Sequence, residues 1–554
     1  MNADNARKAC VLLCTLAFGL TSLTASQPAL AGSLDVWAIT GARIVPVSGP
    51  PIEKGTVVVR NGLIESVGAA VAAPADARIV DGTGLTVYPG LVDTFAIVEP
   101  DAKAEGPPQQ QGPPRGPDRE NPPGVTPQRD ALDIVKNDSR MEGLRAAGFT
   151  TMLAVPKGGV FRGRSVLVNT SGSDASAMAI KSPVALHVAF ETQGGFVQYP
   201  GSLMGVFSVI RQKLLDAMQY RQLRGQYAAS PRGIPRPTYS REYEALIPVL
   251  DKSLPVAIEA NRDREVLRAL ELMDEFALSG MVAGGRESWK VATDLKARNV
   301  PVLLSVNFPE APADLDPETR EELKTVRDRL DAPGCAAKLN AAGVRFAFQS
   351  GGIRSPKQVI TNTAKAIKAG LSKDVALRAL TLSPAEILGV ADQVGSIEVG
   401  KIANLVVTNG DLFEEKTKVR YTFVDGERFE YKEEAPAAKP GDASSAAVDV
   451  TGTWDLEVNT PEGTQKASLE LTQTGAELKG TFRTEMFGSS DVKSGSVAGK
   501  KVTVNVGLNV GGNSLDITFT GDVDGDAMKG TANVAGQGTV DFSGTRKPKG
   551  GAIQ

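Results

Sequence analysis

Histidine is the residue that most limits the chemistry of this chain. There is one in 554 residues, His187, set in the apolar run Val184-Ala185-Leu186-His187-Val188-Ala189-Phe190. A metal centre built on several imidazoles cannot be assembled from a single copy of this sequence. In such a run a histidine is more often a core residue with satisfied ring nitrogens than a general base. The other candidates are carboxylates near the ends of apolar runs: Asp93, Glu191, Glu259 and Glu287. Oxygen ligands alone suit a hard cation. A facing pair such as Glu191 and Glu259 suits metal-free acid–base catalysis. Of the three cysteines, Cys10 and Cys14 lie near the N-terminus, and Cys335 follows Pro333-Gly334. A lone thiol with no second histidine reads as structural rather than nucleophilic. Gly158-Gly159 and Gly351-Gly352 could cradle an anion on backbone N–H groups, though such pairs more often only permit a tight loop.

The elements that must position these residues follow from hydrophobic periodicity. Residues 34–88 read as short strands and turns, with Asn61-Gly62 between Val57-Val58-Val59 and Leu63-Ile64 as a hairpin signal. Between residues 89 and 393, apolar strands alternate with helical patterns. The strands are Gly90–Ile97, Thr150–Val155, Ser165–Asn169, Val184–Phe190, Pro255–Glu259, Gly280–Ala283, Val302–Val306 and Val344–Phe348. Eight strands with helices between several of them predict a TIM-like (β/α)8 barrel, and the site would lie at the strands' C-terminal ends. Residues 105–127 are rich in Pro, Gln and Gly and predict an extended insert overhanging the barrel mouth. Ser202–Tyr227 predicts a helix whose basic side chains Arg211, Lys213, Arg221 and Arg224 either dock an acidic partner or, more commonly, face solvent.

Residues 433–447 form a small-residue linker. Beyond it, period-2 alternation in Trp454–Val458, Leu469–Leu471, Val502–Val506 and Leu515–Phe519 predicts about eight short strands, an all-β antiparallel barrel over 448–547. Thr474–Thr481 resembles Asp524–Thr531, each reading as a turn followed by a strand. Asp522-Val523-Asp524-Gly525-Asp526 reads as a turn rather than a calcium loop, because no Glu stands at position 12 of such a loop.

Lys and Arg number 61 against 64 Asp and Glu, a net charge of −3, which argues against a nucleic-acid partner. The N-terminus predicts a signal peptide over residues 1–31: Arg7-Lys8, the largely apolar Ala9–Leu23, and Ala29-Leu30-Ala31 as a cleavage site. Cys14 follows a bulky Leu13, which disfavours a lipoprotein signal. Cleavage near Ala31 implies a periplasmic or secreted protein with no membrane span left. It removes Asp4, Arg7 and Lys8 and leaves a net charge of about −4.

Four stretches carry a family resemblance. They are Val87-Tyr88-Pro89-Gly90-Leu91-Val92-Asp93, Gly148-Phe149-Thr150-Thr151-Met152, Leu380–Gly389 and Gly395–Val407. In these the chain resembles the amidohydrolase superfamily, in its imidazolonepropionase-like branch. The resemblance implies a barrel over 89–393 beside a composite β-sandwich domain (34–88 with 394–432). It also implies hydrolysis of a non-peptide, often cyclic, C–N bond with Zn or another divalent metal polarising the carbonyl and activating water. The family's His-x-His pair falls on Phe95 and Ile97, its two later histidines on Glu259 and Gly284, and its catalytic aspartate on Gly351. Phe, Ile and two glycines offer no metal donor. Gly452-Thr453-Trp454 with Arg546 weakly resembles the opening and closing of lipocalin-like barrels, where Arg stacks over Trp. An interior lined by Val, Leu and Ala suggests one packed solid, with a role in adhesion or solubility.

The expectation is therefore an exported amidohydrolase-like protein without cofactor that binds an unknown small molecule or protein and does not catalyse, a pseudoenzyme. The alternative is a hydrolase of cyclic-amide C–N bonds with an atypical carboxylate-based or metal-free site.

Overall fold

The computed structural model describes residues 36–100, 122–192, 199–311, 321–353, 355–431, 448–460, 463–484, 488–510, 513–534 and 538–547. The expected signal segment, most of the Pro-rich insert and the expected linker lie outside these residues. The chain divides into two compact units, one ending at 432 and the other beginning at 433. No helix among the described residues is long and apolar enough to cross a membrane.

In the first unit, β1 (Trp37–Ile44), β2 (Ile52–Arg60), β3 (Leu63–Gly68), β4 (Arg78–Asp81) and β5 (Thr86–Pro89) lead into the barrel. The barrel region holds β6 (Leu91–Val98), β7 (Phe149–Pro156), β8 (Phe161–Arg164), β9 (Val166–Asn169), β10 (Ala179–Lys181), β11 (Leu186–Ala189), β12 (Val256–Ala260), β13 (Gly280–Gly284), β14 (Val302–Ser305) and β15 (Phe346–Gln349). After it, β16 (Leu405–Thr408), β17 (Val419–Val424) and β18 (Glu427–Glu430) return to the first strands. Strands β1–β5 and β16–β18 make one eight-stranded sheet, joined where β16 pairs antiparallel with β5, Val406 opposite Tyr88. One apolar face gathers Trp37, Ile39, Val57, Val59, Val87, Leu405, Val407 and Phe423. Asn404 ties this sheet to the barrel. Its amide donates to Thr151 Oγ1 and Asn169 Oδ1, and its Oδ1 accepts the Asp425 N–H.

All eight expected barrel strands form, and seven run parallel: β6 with β7, and β11 through β15 in order. The third is a correction. The chain over 161–169 runs antiparallel to both neighbours, β9 against β7 and β8 against β11. Only residues 157–160 separate β7 from β8. That connection is long enough for a hairpin and far too short for a helical crossover.

Side-chain alternation along the strands builds two shells. Leu186, Val188, Val256, Ile258, Val282, Val302, Leu304, Phe346 and Phe348 pack outward with helix residues such as Leu270 and Leu339. Val92, Phe95, Leu153, Val155, Ala185, Ala257, Met281, Ala283, Leu303 and Ala347 fill the interior. The helix Leu203–Ala229 forms with Ser202 as its N-cap, but its basic residues are not free. Arg211 pairs with Glu275, the buried Lys213 with Glu242, Arg221 with Asp251 and Arg224 with Glu244. Arg211, Arg221 and Arg224 are exposed in these pairs, so the face is solvated but its charges are already matched, and only Lys213 is buried.

The second unit is a closed antiparallel barrel of β19 (Gly452–Thr460), β20 (Gly463–Thr474), β21 (Glu477–Thr484), β22 (Gly488–Ala498), β23 (Lys501–Val510), β24 (Asn513–Asp524), β25 (Ala527–Val534) and β26 (Gly538–Arg546). Trp454, Leu456, Leu469, Leu471, Phe482, Val504, Phe519 and Phe542 are among the side chains that fill it. The Trp454 indole donates to the Val450 carbonyl, and the Arg546 guanidinium lies 4.6 Å above its ring. The Asp524–Asp526 segment is a turn, with Asp524 paired to Lys500.

Trp454 is fully buried. Trp454→Ala should therefore destabilise the second unit by about 3–5 kcal/mol. Calorimetry of the full chain would see the transition of residues 448–547 move down while that of 36–431 stays in place.

Candidate functional site

The C-terminal ends of β11 and β12 and the N-terminal end of the antiparallel β8 bring one charged cluster together. Glu259 faces inward at the end of β12, level with Ala189 on β11 and Ala283 on β13. Arg162 on β8 reaches it: Nε lies 2.9 Å from Glu259 Oε1, in charge contact but without hydrogen-bond alignment. The same guanidinium donates from Nη2 to Glu191 Oε2 at 3.4 Å. The side chain of Arg162 is 11% exposed, that of Glu259 22% and that of Glu191 47%, so the cluster opens to solvent at Glu191. Burial pushes the Glu259 carboxyl up to about 7, against the attraction of Arg162 and with a further push from Glu191.

His187 lies one layer deeper, level with Ala257 and opposite Gly163. Its ring is fully buried, and neither nitrogen has a hydrogen-bond partner among the described residues. Phe95 packs on it edge to face, with centroids 5.6 Å apart. Burial, with Arg162 nearby, lowers the imidazole to about 3, so it is neutral at physiological pH. His187 is thus a core residue as expected, but not a satisfied one.

Asp93 and Glu287 do not join the cluster. Asp93 Oδ1 accepts the backbone N–H groups of Ser350 at 2.9 Å and Phe95 at 3.2 Å. Burial raises its carboxyl, and these amides with the Ser350 hydroxyl oppose the shift. Glu287 accepts the Asp263 N–H at the start of the helix Asp263–Glu275 and the ammonium of Lys290. Cys335 is buried, its thiol pushed up by burial and placed 3.7 Å from both Ser288 Oγ and the Gly285 carbonyl, which makes it structural. Arg162 is the residue that sequence reasoning missed. The signal was an arginine inside the apolar strand Val160-Phe161-Arg162-Gly163, where a charge must find a partner.

A solved amidohydrolase from Thermotoga maritima superimposes on this geometry with a TM-score of 0.59 at 28% identity, covering 71% of this chain and 100% of that one. Residues 320–429 match the model of the amidohydrolase family. The first unit thus shares the fold of a solved amidohydrolase, and part of it matches the amidohydrolase family model. A looser likeness joins it to a prolidase solved with N-methylphosphonate-L-proline, at 16% identity and a TM-score of 0.44, over 72% of this chain and 100% of the prolidase. A 55-residue segment is 44% identical to a dihydroorotase of Geobacter sulfurreducens; it amounts to 10% of this chain, and the match spans 13% of that enzyme.

Members of this superfamily imply a divalent metal at the barrel mouth, and the residues present do not fit one. The Phe95 ring is buried in the barrel interior, and Ile97 is an exposed aliphatic side chain. Gly284 has a φ of +98°, and a Cβ there would lie 2.6 Å from Asn261 Oδ1. Gly351 has a φ of +56°, and a Cβ would collide with Ser305 Oγ. Of the five positions only Glu259 offers a donor, and Arg162 already occupies it. Among the described residues no group of three or more His, Cys, Asp or Glu is arranged to hold a metal.

Two outcomes follow. Restoring the family's carboxylate with Gly351→Asp should not restore a site; the left-handed backbone and the collision with Ser305 cost about 1–3 kcal/mol or more, read as a lowered denaturation midpoint. His187 takes up a proton more readily unfolded than folded, so it withdraws stability as pH falls below about 6.5 toward its folded value. His187→Leu should flatten the loss between about pH 6 and 4 by up to about 1.4 kcal/mol per pH unit, measured by urea denaturation across that range.

Proposed function

We propose that this chain is an exported, non-catalytic member of the superfamily, whose barrel mouth binds a ligand or a partner without hydrolysing it. One observation carries the reading. Where a hydrolase of this fold would hold its ion, a phenylalanine packs on an unprotonated histidine, and the single carboxylate at the ligand positions is engaged by arginine. A bound metal would supply carbonyl polarisation and a hydroxide nucleophile, and among the described residues no set of side chains is suited to grip it. Export rests on the N-terminal pattern Arg7-Lys8, the apolar Ala9–Leu23 and Ala29-Leu30-Ala31.

A second reading is favoured by Glu259 itself. A carboxyl pushed up to about 7, beside a second carboxylate, has the protonation behaviour of a general acid. The segment similar to a dihydroorotase fits a cyclic-amide substrate for such a metal-free or carboxylate-based site.

Elemental analysis of the mature protein, paired with assays on dihydroorotate and other cyclic amides, separates the two. The non-catalytic reading expects less than stoichiometric metal and no turnover, with or without chelator. Turnover with a pH profile centred near 7 that falls about 100-fold or more in Glu259→Gln would establish the second reading. Stoichiometric metal lost together with activity on chelation would refute both.

A further inference from the structure

Several buried polar atoms without hydrogen-bond partners lie on the inward side of the barrel. Among the described residues they include both nitrogens of His187, Oε1 of Glu259, Nε of Arg162 and Oε1 of Gln349. Gln349 ends β15 only 3% exposed, its amide already spent on the Leu303 carbonyl, so what it has left is an acceptor. His187 is wholly inaccessible, and being neutral it offers one donor and one acceptor. Buried groups of this kind are regularly satisfied by protein, ordered water or a ligand; Glu259 Oε1 and Arg162 Nε contact each other, so the capacity left over is two acceptors and one donor, on His187 and Gln349.

Charge points the same way. One guanidinium faces two carboxylates, and Arg162 engages one oxygen of each, Glu259 Oε1 and Glu191 Oε2. The cluster carries one negative charge more than it can neutralise when both are ionised. An anion entering the mouth would have to displace a carboxylate from Arg162 and add to the surplus. A cation meets the remaining carboxylate edges directly, and an N–H-bearing one also supplies the donors that the acceptors lack. A divalent metal is excluded by the donor set, which offers two carboxylates already held by arginine. The floor beneath is apolar, formed by Phe95 over His187 with Ala257 and Met281 in the same inner layer.

We infer that the mouth of this barrel is a binding site for a small organic cation, a primary ammonium or amidinium on an apolar body, held by Glu191 and Glu259 with Arg162 fixing the two carboxylates. The inference rests on the non-catalytic reading of the same site and gives that reading a ligand class. Arg162 is the positioning residue, and Glu191, the most exposed of the three, is the point of entry.

Titration calorimetry on the full mature chain tests it with four probes of one shape: benzylamine, benzamidine, benzyl alcohol and benzoate, at fixed ionic strength. The two cations should bind at least tenfold more tightly than the alcohol or the carboxylate. Glu191→Gln and Glu259→Gln should each weaken benzamidine at least tenfold, and raising the salt should weaken it further. Glu191 is half exposed, so Glu191→Gln carries the test alone if Glu259→Gln does not fold. Benzoate binding as tightly as benzylamine, no probe binding, or benzamidine binding unchanged in Glu191→Gln each overturns the cation site. Cation binding accompanied by turnover of cyclic amides would refute the non-catalytic reading and leave the cation site standing. Absence of both binding and turnover sinks the cation site alone.

Discussion

A barrel mouth can be held in shape only if its first and last strands are joined, and here side chains make that join. Strands β6 and β15 belong to separate hydrogen-bonded sheets. Three bonds cross between them: the Ser350 N–H to Asp93 Oδ1, the Thr94 hydroxyl to the Phe348 carbonyl, and the Ser350 hydroxyl to the Phe95 carbonyl. A buried carboxylate is expensive unless its oxygens are satisfied, and two backbone amides offset that cost at Asp93. The aspartate of the Pro89-Gly90-Leu91-Val92-Asp93 stretch is thus engaged at the seam between β6 and β15. Its work is mechanical closure, which needs no ion.

The seam also decides what fills the lumen. Phe95 is tied at both ends of its peptide, N–H to Asp93 and carbonyl to Ser350, so its ring is committed inward onto His187. That contact keeps water from the imidazole, and a dry imidazole beside a guanidinium stays neutral. The Coulomb field of Arg162 is then left to Glu259 and Glu191. The three charged side chains sit above an uncharged floor, an arrangement suited to recognising charge at the rim and apolar volume below. A hydrolytic metal site needs the reverse, with donors converging at depth and an open coordination position.

Much of this was legible in the sequence, for a definite reason. Apolar runs such as Val256–Ala260 and Val302–Ser305 fix where strands lie, because only buried parallel strands are apolar on both faces. Direction is different. The Val166–Asn169 run is as apolar as its neighbours, yet it lies antiparallel, and only the four-residue connection at 157–160 carries that information. Partners were less legible still. Arg211, Lys213, Arg221 and Arg224 share one helix and look like a basic face, but Glu275, Glu242, Asp251 and Glu244 come from other elements to meet them. Arg162 escaped notice for the same reason, since the carboxylates that make it functional stand 29 and 97 positions away.

In the C-terminal barrel the sequence pattern makes the architecture plain. The short resemblance between its two turn-strand segments extends to whole elements. Strands β20, β21 and β22 begin at 463, 477 and 488, and β24, β25 and β26 begin 50 residues later at 513, 527 and 538. Gly480 and Gly530 occupy equivalent places. At each a Cβ would run into a neighbouring backbone carbonyl, of Glu470 or Thr520, so both halves require the same close strand approach. Two four-stranded halves of one pattern close on each other and fill the centre with Phe482, Phe519 and Phe542, whose rings lie 5.2 and 5.3 Å apart in sequence. These rings pack the described interior as proteins pack their cores, to crystal-like density. Among its described residues the second unit fills its interior with apolar side chains, whereas the first keeps buried polar groups without hydrogen-bond partners inside its barrel.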